Sequence, residues 1–332
     1  MKLQENGRRY DLISAHDYVY TVSGGNKLAY FAEDARHSRD LWMADADFQS
    51  TQRLTHLNPQ LDKYTLGKSE IVQWRNLNGD TLSGALLLPP AYRKGVRYPL
   101  IVWVYSGERG SRYVNRFGLA ANGPFNMQLL ATRGYVVFFP DIPEDTVKPM
   151  LNVANCVLPG INRLIDAGIV DPGRIGVIGQ SYGGYSVLAL LTQTDRFKAA
   201  VELDGPGNLV SFYGEMDKSG GAFGVSELEK GQGQMGGTPW QVRDRYIENS
   251  PYFYLDRIKS PLLIIEGTHD TTVAPFLADE VFVALRRLGK EVEYVKYRGE
   301  GHSAVYWNNA NQVDYCRRML SWFDRYLHDA QQ

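Results

Sequence analysis

Cysteine is scarce. Cys156 and Cys316 stand far apart in a chain of 332 residues. Both fall on the apolar faces of expected helices, which argues against a disulfide framework and reads as two buried free thiols. No apolar run approaches the length of a membrane span. Met1 to Tyr20 lacks the apolar core of a signal peptide and carries Asp11, His16 and Asp17, so a cytoplasmic location is expected. Excess charge of one sign is missing too. A net charge of −1 leaves no electrostatic case for nucleic acid or an anionic membrane as partner. No His/Cys cluster has metal-ligand spacing, so neither metal nor other cofactor is implied.

What is present is an ordinary globular composition, 44% hydrophobic and 22% charged, in a chain long enough for one large α/β domain and a small extension. Residues 1–70 read as a β-rich extension. Tyr18–Val22 and Leu28–Ala32 flank the turn-like Ser23-Gly24-Gly25-Asn26, and Leu41–Ala44 is a third short run. Residues 71–332 alternate strand and helix signals. Ile71–Trp74 and Leu82–Leu88 form an expected hairpin. Buried strands are expected at Leu100–Tyr105, Tyr135–Phe139, Ile175–Ile178, Ala199–Leu203, Pro261–Ile265 and Glu291–Tyr297. Between them fall helical patterns: Phe125–Thr132; residues 151–167, with Pro159 predicting a kink or a late start; a stripe of Leu277, Val281, Leu285 and Leu288 closed by Gly289; and a final stripe of Val313, Cys316, Leu320, Phe323 and Leu327. The fold class is therefore α/β, a mostly parallel sheet with helices on both faces. A glycine-rich insertion at residues 214–240 interrupts the alternation, either as a lid or as plain surface loop.

One stretch carries chemistry. Gly179-Gln180-Ser181-Tyr182-Gly183 follows the Ile175–Ile178 run and precedes good helix formers. G-x-S-x-G between strand and helix is the context of a nucleophile elbow, in which a strained turn lifts a serine hydroxyl above the sheet. The crowding there demands small residues two before and two after the serine. The Tyr182 N–H is then aimed at a developing oxyanion.

A serine needs an imidazole to take its proton and a carboxylate to orient the imidazole, and in this fold the chain order is Ser, acid, His. Of six histidines, His16, His37 and His56 precede the serine and His328 lies in the last helix. His302, on a glycine-flanked loop after the last strand, is the expected base, with His269 as competitor. Asp270, on the loop leaving the Pro261–Ile265 strand, is the expected acid. Asp204 is its rival, and capping the following helix is the alternative role for Asp270. The second oxyanion donor should come from the loop after Leu100–Tyr105, where Tyr105 offers a phenolic hydroxyl or else ends a core strand as a buried tyrosine.

These motifs resemble the prolyl oligopeptidase family of serine peptidases. The likeness runs from about Leu28 onward and is most specific in Gly179–Tyr185, in Glu266–Asp270 with Val273, and in Gly301-His302. Gln234–Trp240 and Asn249–Phe253 are similar to its acylaminoacyl-peptidase and dipeptidyl-peptidase branches. The resemblance implies that the Tyr105 hydroxyl supports the oxyanion and that Tyr182 and Val273 line the pocket for the acyl side chain. Phe212 and Tyr213 complete the expected substrate contacts. Family members carry a β-propeller before the hydrolase domain, and residues 1–70 have space for only a few strands of one. The family's Gly- and Arg-rich loop after the fourth strand is replaced here by Pro140–Asp145. The expected function is hydrolysis of a peptide or a small ester through an acyl-serine, with carboxylesterase, or a binding protein on an inactive hydrolase fold, as alternatives. The aromatics Tyr18, Tyr20, Tyr30, Phe31 and Trp42 need cover, from the larger domain or from a second protomer, so residues 1–70 are also a candidate homo-oligomer interface.

Overall fold

The computed structural model describes residues 2–5, 8–11, 22–24, 26–45, 47–119, 123–145, 148–216 and 219–328, with only the backbone of residues 2–24. Most of the run at Tyr18–Val22, including both its tyrosines, and His16 lie outside the described residues. Fourteen strands are described: β1 (Lys2–Glu5), β2 (Arg8–Asp11), β3 (Val22–Gly24), β4 (Lys27–Ala32), β5 (Asp40–Asp45), β6 (Thr51–Arg53), β7 (Ser69–Arg75), β8 (Thr81–Leu87), β9 (Tyr98–Trp103), β10 (Val136–Pro140), β11 (Val170–Gln180), β12 (Ala199–Leu203), β13 (Leu262–Gly267) and β14 (Val292–Tyr297). The helices are α1 (Gln128–Ala131), α2 (Pro149–Asp166), α3 (Tyr182–Leu191), α4 (Leu209–Tyr213), α5 (Phe223–Glu229), α6 (Arg243–Glu248), α7 (Phe276–Arg287) and α8 (Asn309–Leu327).

β7 to β14 form one eight-stranded sheet in the order β14-β13-β12-β11-β9-β10-β8-β7. The pairs from β10 across to β14 are parallel, and β8 joins β10 and β7 antiparallel. The central strands are apolar on both faces because helices cover both. Residues 100–102 of β9, 136–138 of β10 and 262–265 of β13 are all shut away from solvent. This is the mostly parallel sheet with helices on both faces that the alternation predicts, in the arrangement of an α/β-hydrolase. A separate antiparallel sheet, β3-β4-β5-β6, contains the expected runs at residues 28–32 and 41–44, and adds β6 from a polar stretch that gives no strand signal.

Four helices depart from expectation. The segment at residues 125–132 yields only the single turn α1, after a short 3-10 turn at Gly123–Phe125. Pro159 neither delays nor ends α2, which starts at Pro149 and runs through it. Proline removes the N–H that would bond the carbonyl four residues back. That carbonyl, on Asn155, accepts the Leu77 N–H at 3.4 Å instead. In α8, Leu320, Phe323 and Leu327 are buried as the stripe requires, but Val313 is exposed. Tyr315, Met319 and Trp322 take the inner face, where their larger apolar area is buried against the sheet. The stripe in α7 ends likewise at Leu285. Leu288 follows the last turn, is exposed, and is succeeded by Gly289 at φ 69°.

Gln128 fastens the N-terminal segment to the sheet domain. Buried in α1, its amide donates to the Ala35 and Gly67 carbonyls at 2.7 and 2.9 Å and accepts the Gly67 N–H at 2.8 Å. Ala35 belongs to the same core as Ala85 and Leu87 of β8. Cys156 is buried and Cys316 half-buried, both as free thiols.

Candidate active site

The site is built at the C-terminal edge of the parallel strands. β11 is central, and its last residue hands the chain to Ser181 at φ 60°, ψ −126°, a backbone conformation that L-residues rarely adopt. The turn survives because the residues two before and two after Ser181 have no side chains. A Cβ on Gly179 would lie 2.2 Å from the Gly183 carbonyl oxygen, and one on Gly183 would lie 2.4 Å from that of Val104. The Ser181 N–H donates to Leu203 O of β12 at 2.8 Å, which fixes the turn to the sheet. α3 starts immediately at Tyr182, so the Tyr182 N–H is one of the first-turn amides that a helix cannot pair internally.

Three side chains from three loops meet here. His302 Nε2 stands 2.8 Å from Ser181 Oγ, and His302 Nδ1 stands 2.6 Å from Asp270 Oδ2. The Asp270 side chain is wholly buried and that of His302 is 20% exposed. The loops carrying acid and base are pressed together. His269 N–H donates to Glu300 O at 2.8 Å, and a Cβ on Gly267 would strike the Glu300 and Gly301 carbonyls at 2.6 Å. Gln180 Nε2 donates to the His302 carbonyl at 3.0 Å, and Trp307 Nε1 to that of Gly301 at 2.7 Å. The side chain of His269 is exposed and outside this chain of contacts. His37, His56 and His328 pair with Asp34, Asp62 and Asp324 elsewhere.

Asp270 also organises its own loop, in a way that differs from the capping alternative. α7 begins only at Phe276, and Asp270 Oδ1 instead accepts the N–H groups of Thr272 and Val273 at 2.7 and 3.0 Å. One oxygen holds the loop and the other faces the histidine.

Asp204, the rival acid, sits close by without joining the line to Ser181. Carboxylate atoms of Asp204 and Asp270 and a ring nitrogen of His302 fall within 4.8 Å of one another. Asp204 Oδ1 accepts the Gly267 N–H at 3.2 Å. Burial, then the nearby Asp270 charge, pushes the Asp204 carboxyl well above the usual carboxylate range. Burial pushes Glu266 up to about 12 and Glu202 up to about 8. Asp204 Oδ2 and both Glu266 oxygens meet no hydrogen-bond partner among the described residues, as befits carboxyls that burial and one another's charge hold toward the neutral form. No sequence pattern announces this acidic cluster beneath the site.

Tyr105 follows β9. Ser106 N–H donates to Ser186 Oγ at 3.1 Å, and Ser186 Oγ donates to Tyr182 O at 2.7 Å, so this loop is tied to the first turn of α3. The Tyr105 hydroxyl faces Gln232 from the glycine-rich insertion. Beside Ser181 lies a cavity of about 230 Å³ whose lining includes Tyr105, Tyr182, Phe212 and Val273. Tyr213 does not line it, contrary to expectation. Its hydroxyl donates to Glu229 Oε1 at 2.7 Å, and its ring packs edge-on against Trp240 and Tyr246, because successive residues of α4 point to different sides. Phe223, Glu227, Leu228, Gln232 and Gly233 supply a further wall. The insertion is therefore neither a bare loop nor remote from the site. It contains α5 and closes the cavity.

A serine–imidazole–carboxylate line with a buried acid, beside a cavity and a helix N-terminus, can transfer acyl groups. Comparison with known proteins agrees with that arrangement. Dipeptidyl-peptidase 5 of Porphyromonas gingivalis is 27% identical over 334 residues, covering 94% of this chain and 46% of that protein. An uncharacterized peptidase of Bacillus subtilis, YuxL, is 28% identical over 296 residues, covering 84% of this chain and 42% of that protein. The chain thus spans less than half the length of either relative. In fold it is similar to the acylaminoacyl peptidase of Pyrococcus horikoshii, with a TM-score of 0.81 at 22% identity, covering 99% of this chain and 52% of that one. The prolyl oligopeptidase family profile matches residues 153–330, a span that contains Ser181, Asp270 and His302 together, and the chain belongs to that family.

Proposed function

We propose that the protein is a serine peptidase that cleaves peptide bonds through an acyl-Ser181 intermediate. The observation that carries this reading is the unbroken line Ser181 Oγ, His302 Nε2, His302 Nδ1, Asp270 Oδ2, with separations of 2.8 and 2.6 Å. His302 Nε2 takes the Ser181 proton as Oγ attacks the carbonyl carbon. Asp270 accepts from Nδ1–H, which fixes the tautomer needed and stabilises the imidazolium. The Tyr182 N–H and the Tyr105 O–H hold the oxyanion. Collapse expels the amine, protonated by His302, and leaves an ester on Ser181. His302 then deprotonates water, which attacks that ester and releases the acid. Ester substrates would run through the same steps.

Family membership and peptidase relatives support peptide bonds over other acyl bonds. A division near residue 70 into a β-rich segment and the hydrolase domain is part of the proposal, supported by the separate β3-β4-β5-β6 sheet. So is a homo-oligomer contact through residues 1–70, where Phe31 stands partly exposed, and a cytoplasmic location, in keeping with the lack of any described helix long and apolar enough to cross a membrane. The test is labelling by a fluorophosphonate probe, followed by aminoacyl p-nitroanilides set against p-nitrophenyl esters. Labelling at Ser181 with anilide turnover is the expected result. Absence of labelling refutes the enzyme, and turnover of esters alone assigns it to carboxylesterases. Light scattering of the chain with and without residues 1–68 tests the oligomer.

A further inference from the structure

The cavity has a composition that selects charge. Four aromatic rings line it, those of Tyr105, Tyr182, Phe212 and Phe223. Among the described residues of its lining, Glu227 is the one carboxylate, and there is no lysine or arginine. The Glu227 carboxylate is half-buried, and its polar contact is a long one, 3.5 Å from Oε2 to the Gln232 N–H. A second group is also without a full complement of partners. The Tyr182 hydroxyl is buried against the same cavity and meets no hydrogen-bond partner among the described residues. The ring itself is held in place by stacking on Tyr185, with centroids 4.7 Å apart and planes at 10°.

Each of these features favours the same guest. Ring faces attract a cation within about 6 Å of the centroid. A carboxylate withdrawn from water gains most from a cation that donates hydrogen bonds to it. A buried phenol oxygen accepts a hydrogen bond, and an ammonium or guanidinium nitrogen brings several donors. A neutral apolar group would satisfy the rings, bring the Tyr182 hydroxyl no partner and leave Glu227 with only its long contact to the Gln232 N–H.

The position of the cavity says which part of the substrate enters. Its lining includes Ser181, Tyr105 and Tyr182 but not His302. The leaving amine must lie by His302 to receive its proton, so the cavity receives the acyl portion. We infer that the wall formed by the glycine-rich insertion is a specificity site, in which Glu227, Tyr182 and the surrounding rings select an acyl group carrying a cationic nitrogen. The inference rests on the reading of Ser181 as nucleophile. The nitrogen could be a basic side chain or a free α-amino group, and the two share the chemistry described.

The experiment compares kcat/KM for three p-nitroanilides on the full chain. N-acetyl-norleucine is the neutral reference, N-acetyl-lysine adds a side-chain cation, and free norleucine adds an α-ammonium. One cationic substrate should exceed the reference by about tenfold or more, and which one does so identifies the source of the nitrogen. Glu227→Gln should bring that ratio close to one, and Glu227→Lys should push it below one. Protection of Ser181 from fluorophosphonate by butylammonium, set against butanol, gives the same comparison without turnover. Equal rates across the three wild-type substrates, or a ratio that persists in Glu227→Gln, overturns the inference. Its failure is separable from that of the hydrolase reading: labelled Ser181 without charge preference sinks this site alone, whereas unlabelled Ser181 sinks both.

Discussion

Gln232 Nε2 lies 3.1 Å from the Tyr105 hydroxyl oxygen, so the insertion touches the group proposed to hold the oxyanion. The amide nitrogen donates to the phenol oxygen, and the phenol O–H has only a long contact of its own, 3.5 Å to Gln232 Oε1, to give up when it turns to an oxyanion. Tyr105→Phe should lower kcat with little change in KM, by on the order of 3 kcal/mol of transition-state stabilisation. Gln232→Leu should lower kcat less, because it removes orientation and keeps the donor. Steady-state kinetics on both variants decides. An unchanged kcat in Tyr105→Phe returns that residue to a packing role.

Ser181→Ala and His302→Ala should each reduce kcat by several orders of magnitude while thermal melting stays near wild type. A His302→Ala enzyme with near-normal turnover, alongside an inactive His269→Ala enzyme, would reverse the assignment of the base.

The two oxygens of Asp270 predict different behaviour from two substitutions. Asp270→Asn keeps an oxygen for the Thr272 and Val273 amides but sets an N–H₂ against His302. It should lose activity on the order of ten-thousandfold with a small change in melting temperature. Asp270→Ala should lose comparable activity and also about 1–3 kcal/mol of stability, since two loop amides lose their acceptor. Equal melting temperatures for the two variants would remove the loop-holding role.

Glu202 makes the stability of the fold sensitive to pH. Burial raises its carboxyl from 4.5 to about 8 in the folded chain. A proton held more tightly folded than unfolded stabilises the fold fully below about pH 4.5 and progressively less as pH climbs through about 8. Glu202→Gln does not titrate, and its carbonyl can still accept the Gly205 N–H that Glu202 Oε1 accepts now. Its melting temperature should therefore fall less across that window than that of wild type, by the equivalent of a few kcal/mol. Parallel curves for the two proteins would show that Glu202 is not the group responsible.

The elbow, the acid and the base are legible in the sequence because each is defined by a handful of consecutive residues. An apolar run, a G-x-S-x-G and a helix former locate Ser181. An apolar run followed by a polar loop locates Asp270, and another locates His302. The same logic gives most strands of the large sheet. It fails where a partner distant in sequence decides. Pro159 reads as a kink or a late helix start because nothing near it reveals that Leu77 satisfies the freed carbonyl. Periodicity ranks Val313 with Leu320 on the inner face of α8, whereas Tyr315 and Trp322 offer more area to bury. Tyr213 adjoins Phe212 in sequence, yet one residue of helix turns it away from the cavity. Glu227 and Gln232 have no sequence signal at all, since the composition of an insertion does not say which wall it folds against. Glu202, Asp204 and Glu266 look like isolated acids at strand ends, and only the pairing of β12 with β13 sets them together.

The chemistry sits on strand ends that the sheet holds rigid, whereas one wall of the cavity comes from α5 and the residues just after it. These two parts can be altered separately. A combinatorial library restricted to residues 223–231, with Gln232 kept, would vary what the pocket admits without touching the serine, its imidazole or the glycines that crowd the turn. If the proposed hydrolysis holds, the insertion is an exchangeable cassette for retargeting it, mounted on a fixed engine.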